Sequence, residues 1–183
     1  MALTQLDQHA ALIIIDLQKG IVSLPLAHSA RDIVTKSDTL AKVCRQKNIS
    51  VVIVNVTGFA KGRNDMGEHS PPPADWANLV PELTVESQDK LISKQTWGAF
   101  TNTDLDQYLK QNNITQLFIC GIATSMGVES TARFASELGY NVVLITDVMS
   151  DMNENSHDNS IKNIFPKLGE TVKYEEFLTL LNH

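Results

Sequence analysis

Four runs of aliphatic, mostly β-branched residues constrain the fold of this chain more than any other feature. They are AALIIID (10–16), SVVIVNV (50–56), QLFICG (116–121) and NVVLITD (141–147). Each is short and continuous rather than alternating, which is the pattern of a strand buried on both faces. Two weaker segments, KLISK (90–94) and ETVKY (170–174), read as further strands. Helical patterns separate them. Ser29 opens one, with Asp32 three residues on; Ile33, Leu40, Val43 and Cys44 fall near one face, and Asn48 closes it. Thr103 caps a second helix carrying Leu105, Tyr108 and Leu109. A third runs from Gly127 to Leu138, with Val128, Ala132, Ala135 and Leu138 on one face and Gly139 at the C′ position. A fourth covers Ser156 to Ile164, stopped by Pro166, and EEFLTLL forms a terminal helix.

Parallel strands joined by right-handed helical crossovers are the economical solution to such alternation. The expected fold is α/β: a three-layer, doubly wound, Rossmann-like domain over residues 1–183, with helices on both faces of a parallel sheet. LQKGIVSLPLAH after the first strand reads as a loop, with Gly20 and Pro25 as breakers. The stretch from Thr57 to about Pro81 is long and irregular, with three glycines and Pro71-Pro72-Pro73. Trp76 and Leu79 mark it as an ordered excursion rather than a linker.

Fifteen Lys and Arg against twenty-one Asp and Glu give a net charge of -6. Without a basic run, that balance argues against nucleic acid as a partner. The apolar runs are too short to span a bilayer, and MALTQLDQHA lacks the apolar core of a signal peptide. Cys44 and Cys120 make no disulfide framework and read as reduced thiols of a cytoplasmic protein.

Doubly wound sheets bind ligands at the carboxyl ends of their strands, near the switch in strand order. Asp16, Asn55, Lys94 and Asp147 lie at or near such ends, and the turn GIATSMG (121–127) follows another. An acid behind five apolar residues is costly if buried alone. An ammonium at Lys94 offsets part of that cost. Burial favours the neutral form of Asp16 and Lys94 favours the charged form, and the sequence leaves the balance open. The turn presents backbone N–H groups, which suit an anion or a developing oxyanion. It is neither a Walker A loop nor a GxGxxG fingerprint. No metal site is expected. Asp65, Glu68 and His69 offer thin support for one, and all five histidines, His9, His28, His69, His157 and His183, read as loop or surface residues. Asp147 and Asp151 read as strand-end and loop acids.

Taken in order, IIIDLQ around Asp16 and Gln18, SKQTWGAF around Lys94, and GIATSMGVESTARFASELGYNVVLITDVM around the turn resemble the isochorismatase-like hydrolase superfamily, also called cysteine hydrolases. The resemblance covers nearly the whole chain. It implies a six-stranded parallel sheet, a homo-oligomer (dimer or tetramer) and a non-proline cis peptide at Ile122–Ala123. The family's nucleophilic cysteine falls three residues after Thr124, where this chain has Gly127. A thioacyl intermediate is therefore not expected. Members with Gly at this position are isochorismatases, which hydrolyse a vinyl ether by protonation and addition of water.

Carried over, Asp16 is the general acid, and Lys94 holds a substrate carboxylate or supports charge on the reacting group. Gly127 leaves space for the substrate and offers a backbone N–H. Trp97 and Phe100 form an apolar wall, Gln18 orients Asp16, and Ala123, Thr124 and Met126 line the site. Arg63, or else Arg133, supplies a second cation for a dianionic substrate. No cofactor is expected. The expected activity is thiol-independent hydrolysis of a small molecule, isochorismate or a related anion. The alternative is a non-catalytic small-molecule-binding or scaffold member. Amide hydrolysis with water activated by Asp16 ranks last.

Overall fold

A computed structural model describes residues 3–65 and 72–182. Six parallel strands form one sheet in the order β3-β2-β1-β4-β5-β6. They are β1 (Ala10–Ile15), β2 (Ser50–Val56), β3 (Lys90–Lys94), β4 (Gln116–Ile122), β5 (Asn141–Ser150) and β6 (Glu170–Val172). The helices are α1 (Lys19–Val22), α2 (Ala30–Gln46), α3 (Leu105–Gln111), α4 (Glu129–Glu137), α5 (Glu154–Asn159), α6 (Phe165–Leu168) and α7 (Tyr174–Asn182). Among the described residues no helix is long and apolar enough to cross a membrane.

The period of two along a strand explains the three layers. In β1, Leu12 and Ile14 face one core with Leu40 of α2 and Phe177 of α7. Ala11, Ile13 and Ile15 face the other, with Leu105 of α3, Ala132 of α4 and Phe165 of α6. Ile13 stands opposite Val52 on one side and Ile119 on the other, so the centre of the sheet is sealed on every side. From β1 the chain winds outward through β2 and β3, then returns to β4 and winds the other way. The switch point therefore lies between β1 and β4.

Ser29 accepts a hydrogen bond from Asp32 N–H and so caps α2, as the sequence predicts. Several boundaries differ. The loop expected after β1 contains the single turn α1, because Gly20 lets the Trp76 ring lie directly on the backbone. A Cβ at Gly20 would stand 1.7 Å from Trp76 Cδ1. The helix expected from Gly127 begins earlier, as a π-helical turn over Thr124–Val128 in which Val128 N–H reaches Ala123 O. Pro166 does not stop a helix. It sits in the first turn of α6, where its missing N–H is harmless, and Ser160–Ile164 before it is π-helical. Asp147 is not at the end of β5. The strand runs on to Ser150, taking the steps from Leu144 to Met149 opposite Ile119 to Gly121 of β4. Asp147 Oδ1 accepts Tyr174 N–H at 2.7 Å and so holds the start of α7. The last strand stops at Val172 rather than Tyr174.

Candidate active site

Asp16 follows β1 at the switch point. Its backbone has φ +54, a left-handed conformation that Asp tolerates better than most residues. Its N–H still bonds to Val54 O at 2.9 Å, so the strand pairing runs on to Asp16 itself. Lys94 is the last residue of β3, paired in register with Val56. Its Nζ donates to Asp16 Oδ2 at 2.7 Å and to Thr96 O at 3.1 Å. Both side chains are nearly dry: Asp16 is 4% exposed and Lys94 2%. Asp16 Oδ1 is buried with no hydrogen-bond partner.

Burial raises the Asp16 carboxyl, the Lys94 ammonium lowers it, and burial prevails, leaving it at about 6. A carboxyl of that kind is protonated in about one molecule in ten at pH 7. It can therefore give a proton near neutrality, with Oδ2 fixed on Lys94 and Oδ1 left for another atom.

Gly127 completes one wall. A Cβ built there would lie 3.2 Å from Asp16 Oδ2, 2.9 Å from Ile15 Cγ2 and 3.5 Å from Trp97 O. Asp16, Lys94, Gly127 and the Trp97 backbone are thus brought together. The turn reaches this place because Gly121 has φ +120 and passes so close to β1 that a Cβ would be 2.2 Å from Ile15 O. The Ile122–Ala123 peptide that follows is cis. Ala123 is buried, Met126 is half-buried against the α2 core, and the Trp97 side chain is 54% exposed.

Other expected roles change. The Gln18 amide does not orient the Asp16 carboxyl: Nε2 donates to Val56 O and Trp76 O, and Oε1 accepts Val56 N–H. It fastens the end of β1 to β2 and to the excursion. Asn55 does similar work, donating to Ala77 O and accepting from Ser93 Oγ. The Phe100 ring stacks on Tyr140 at 6.0 Å and belongs to the core. Arg63 lies exposed in the loop after β2, and Arg133 pairs with Glu129 on α4. The N–H groups of the turn are largely used within the protein: Ser125 bonds to Asp151, and Met126 and Val128 bond to Ala123 O. Among the described residues no three His, Cys, Asp or Glu side chains gather to hold a metal ion. Glu68 and His69 lie outside those residues. Cys44 and Cys120 are buried thiols, each pushed up to about 12 chiefly by burial.

Two buried groups escaped the sequence reading. His157 is not a surface histidine: it is buried, its Nδ1 lies 2.8 Å from Thr124 Oγ1, and its ring stands 4.5 Å from that of His28. Burial first, and His28 second, push its imidazole below the usual range. Asp151 is not a loose loop acid: it is buried and accepts from both the N–H and Oγ of Ser125 at 2.8 Å. The available signal was the apolar Val148-Met149 beyond Asp147, which carries β5 on to the edge of the turn.

Residues 10–176 match the family described as the Isochorismatase domain. The isochorismatase family protein YwoC of Bacillus subtilis is 42% identical over 180 residues, covering 93% of each chain. An isochorismatase family protein from Burkholderia thailandensis has a solved structure with TM-score 0.92 and 37% identity, covering 97% of this chain and 98% of that one. Enterobactin synthase component B of Escherichia coli is 27% identical, over 93% of this chain and 63% of its own length.

Proposed function

The chain belongs to the isochorismatase family, and from that premise we propose that it is a hydrolase of a small anionic molecule, working without a cysteine nucleophile and with Asp16 as general acid. One observation carries the reading: a dry carboxyl held at about 6, with one oxygen on Lys94 and the other unpartnered. Gly127 stands where the family resemblance places the nucleophilic cysteine. The two thiols present are buried and too weakly acidic to replace it.

Vinyl-ether hydrolysis of isochorismate or a similar anion suits this arrangement. The proton on Asp16 Oδ1 passes to the terminal vinyl carbon, giving an oxocarbenium ion. Water adds to that ion, and the hemiketal collapses to pyruvate and an alcohol, returning a proton to Asp16. Lys94 balances the charge left on Asp16 or holds a substrate carboxylate. Trp97 supplies an apolar wall, and Arg63 a second cation at the exposed loop. Enterobactin synthase component B, among the relatives, supports a small-molecule reading by its name alone.

Pyruvate release from isochorismate by the purified protein tests the proposal, with Asp16→Asn alongside. Release lost in the variant is the expected result. No release by the wild type removes isochorismate as substrate, and near wild-type release by the variant removes Asp16 as the acid. The near-complete burial of Asp16 and Lys94 favours one other reading, a non-catalytic binder in which the pair only holds the fold. Under that reading Asp16→Asn loses stability while no turnover exists to lose. A homo-oligomer remains part of the proposal; exposed Phe134 and Leu138, one turn apart at the end of α4, suit a contact between copies. Light scattering measures it.

A further inference from the structure

The turn that brings Gly127 to Asp16 is held from behind by side chains that the proposed chemistry does not use. Thr124 Oγ1 and His157 Nδ1 share a hydrogen bond of 2.8 Å, with Thr124 fully buried. Beside it, Ser125 donates twice to Asp151 Oδ2. Both anchors come from the segment after β5, not from the turn or its helix. The helix supplies a local anchor of its own: Thr131 Oγ1 donates to Gly127 O at 2.7 Å and accepts Ala99 N–H at 3.1 Å. The loop before α2 braces the outer side, since Ala27 N–H bonds to Asp151 O and His28 bonds to Ser150 Oγ through its N–H.

At the front of the turn there is no slack. The space at Gly127 is bounded by Ile15 Cγ2 and Asp16 Oδ2, both within 3.2 Å of where a Cβ would stand. A shift of the turn by a fraction of an ångström therefore changes what covers the carboxyl. Removing the imidazole would leave the Thr124 hydroxyl unpartnered in a dry site, at a cost that favours rotation of the turn toward water.

We propose that His157 is a positioning residue for Asp16: through Thr124 it fixes the turn that presses Gly127 against the carboxyl, and so keeps water from it. The proposal rests on the reading of Asp16 as the reacting group only for its effect on turnover. The placement itself is read without substrate.

The experiment is a 13C NMR titration of the Asp16 carboxyl in the intact protein. The wild-type midpoint is expected near 6. In His157→Leu it falls by about one pH unit toward the ordinary carboxylate range, because water reaches the carboxyl. Thr124→Val breaks the same bond with almost no change of volume and gives the same fall, which keeps the test decisive if His157→Leu does not fold. His157→Gln, whose amide can still bond the Thr124 hydroxyl, returns most of the shift. A merely structural role lowers the urea midpoint of all three variants and leaves the Asp16 titration where it was; that outcome overturns the proposal. Pyruvate release from isochorismate is scored separately. Its absence in the wild type removes the proposed substrate and leaves the titration result standing. Where release is seen, the alkaline limb of kcat moves down with the Asp16 midpoint in His157→Leu.

Discussion

Asp16 carries two opposed influences on one carboxyl group, and each has a separate consequence. The Lys94 ammonium fixes Oδ2 and leaves Oδ1 unpartnered, the oxygen that carries the proton under the proposed function. Burial then sets the pH at which the proton is available. Turnover of isochorismate is expected to fall as pH rises above about 6, the value at which Asp16 loses its proton; a kcat profile between pH 5 and 9 measures it. Asp16→Asn removes the proton altogether, and a loss of at least about a hundredfold in kcat is expected, the usual contribution of a general acid. Gly127 has the opposite sensitivity, to added volume. In Gly127→Ala the new methyl meets Ile15 Cγ2 at 2.9 Å and Asp16 Oδ2 at 3.2 Å. Overpacking of this kind costs about 1–3 kcal/mol, readable by urea unfolding.

The elements that position these residues were legible to different degrees. The four central strands stand out because runs such as AALIII and SVVIVN are buried on both faces and need no alternation to be recognised, whereas the edge strands β3 and β6 are partly exposed and give weaker signals. The close approach of β4 to β1 was less visible. Gly121 is one glycine in a turn by sequence, but its φ of +120 and the 2.2 Å to Ile15 O exclude any side chain. Gly121→Ala is expected to destabilise by roughly 3 kcal/mol or more, or to prevent folding, as thermal unfolding shows. The extension of β5 was hidden by Asp147, since a charge after a buried run reads as a terminator. It is tolerated because the irregularity against β4 hands it to Tyr174 N–H and to Lys36, 3.7 Å away. With β5 expected to end at Asp147, the sequence gives Asp151 and His157 no visible reason to face the turn. The Asp16–Lys94 pair is legible in the sequence because both residues close strands on one edge; the unpartnered Oδ1 depends on how the turn covers the carboxyl, which no residue pattern displays.

At the scale of the molecule two of the buried titratable groups, Asp16 and His157, pull stability in opposite directions with pH. Asp16 is raised in the folded chain from an ordinary 3.8 to about 6. Its contribution is complete below the unfolded value and lost as pH rises through the folded one. A shift of that size corresponds to about 3 kcal/mol. The stability of wild type relative to Asp16→Asn should therefore fall by most of that, about 2 kcal/mol, between pH 4 and pH 7, measured by urea unfolding. His157 is lowered; it is faced by His28, Asp158, Asp151 and Lys173. Its contribution is present above the ordinary histidine value of 6.5 and is lost as pH falls through its folded value. His157→Gln should flatten the acid side of the wild-type curve.

The distances along the chain between these partners have a consequence for assembly. Asp16 and Lys94 are separated by 78 residues, and Thr124 and His157 by 33. While β1 and β3 are still apart, Asp16 is a hydrated side chain with the acidity of any aspartate, and Lys94 lies far from it. Only the closing of the sheet strips water from both and brings in the turn with its brace. The raised carboxyl of Asp16 is thus a property of the closed sheet alone, and a partly opened molecule does not have it.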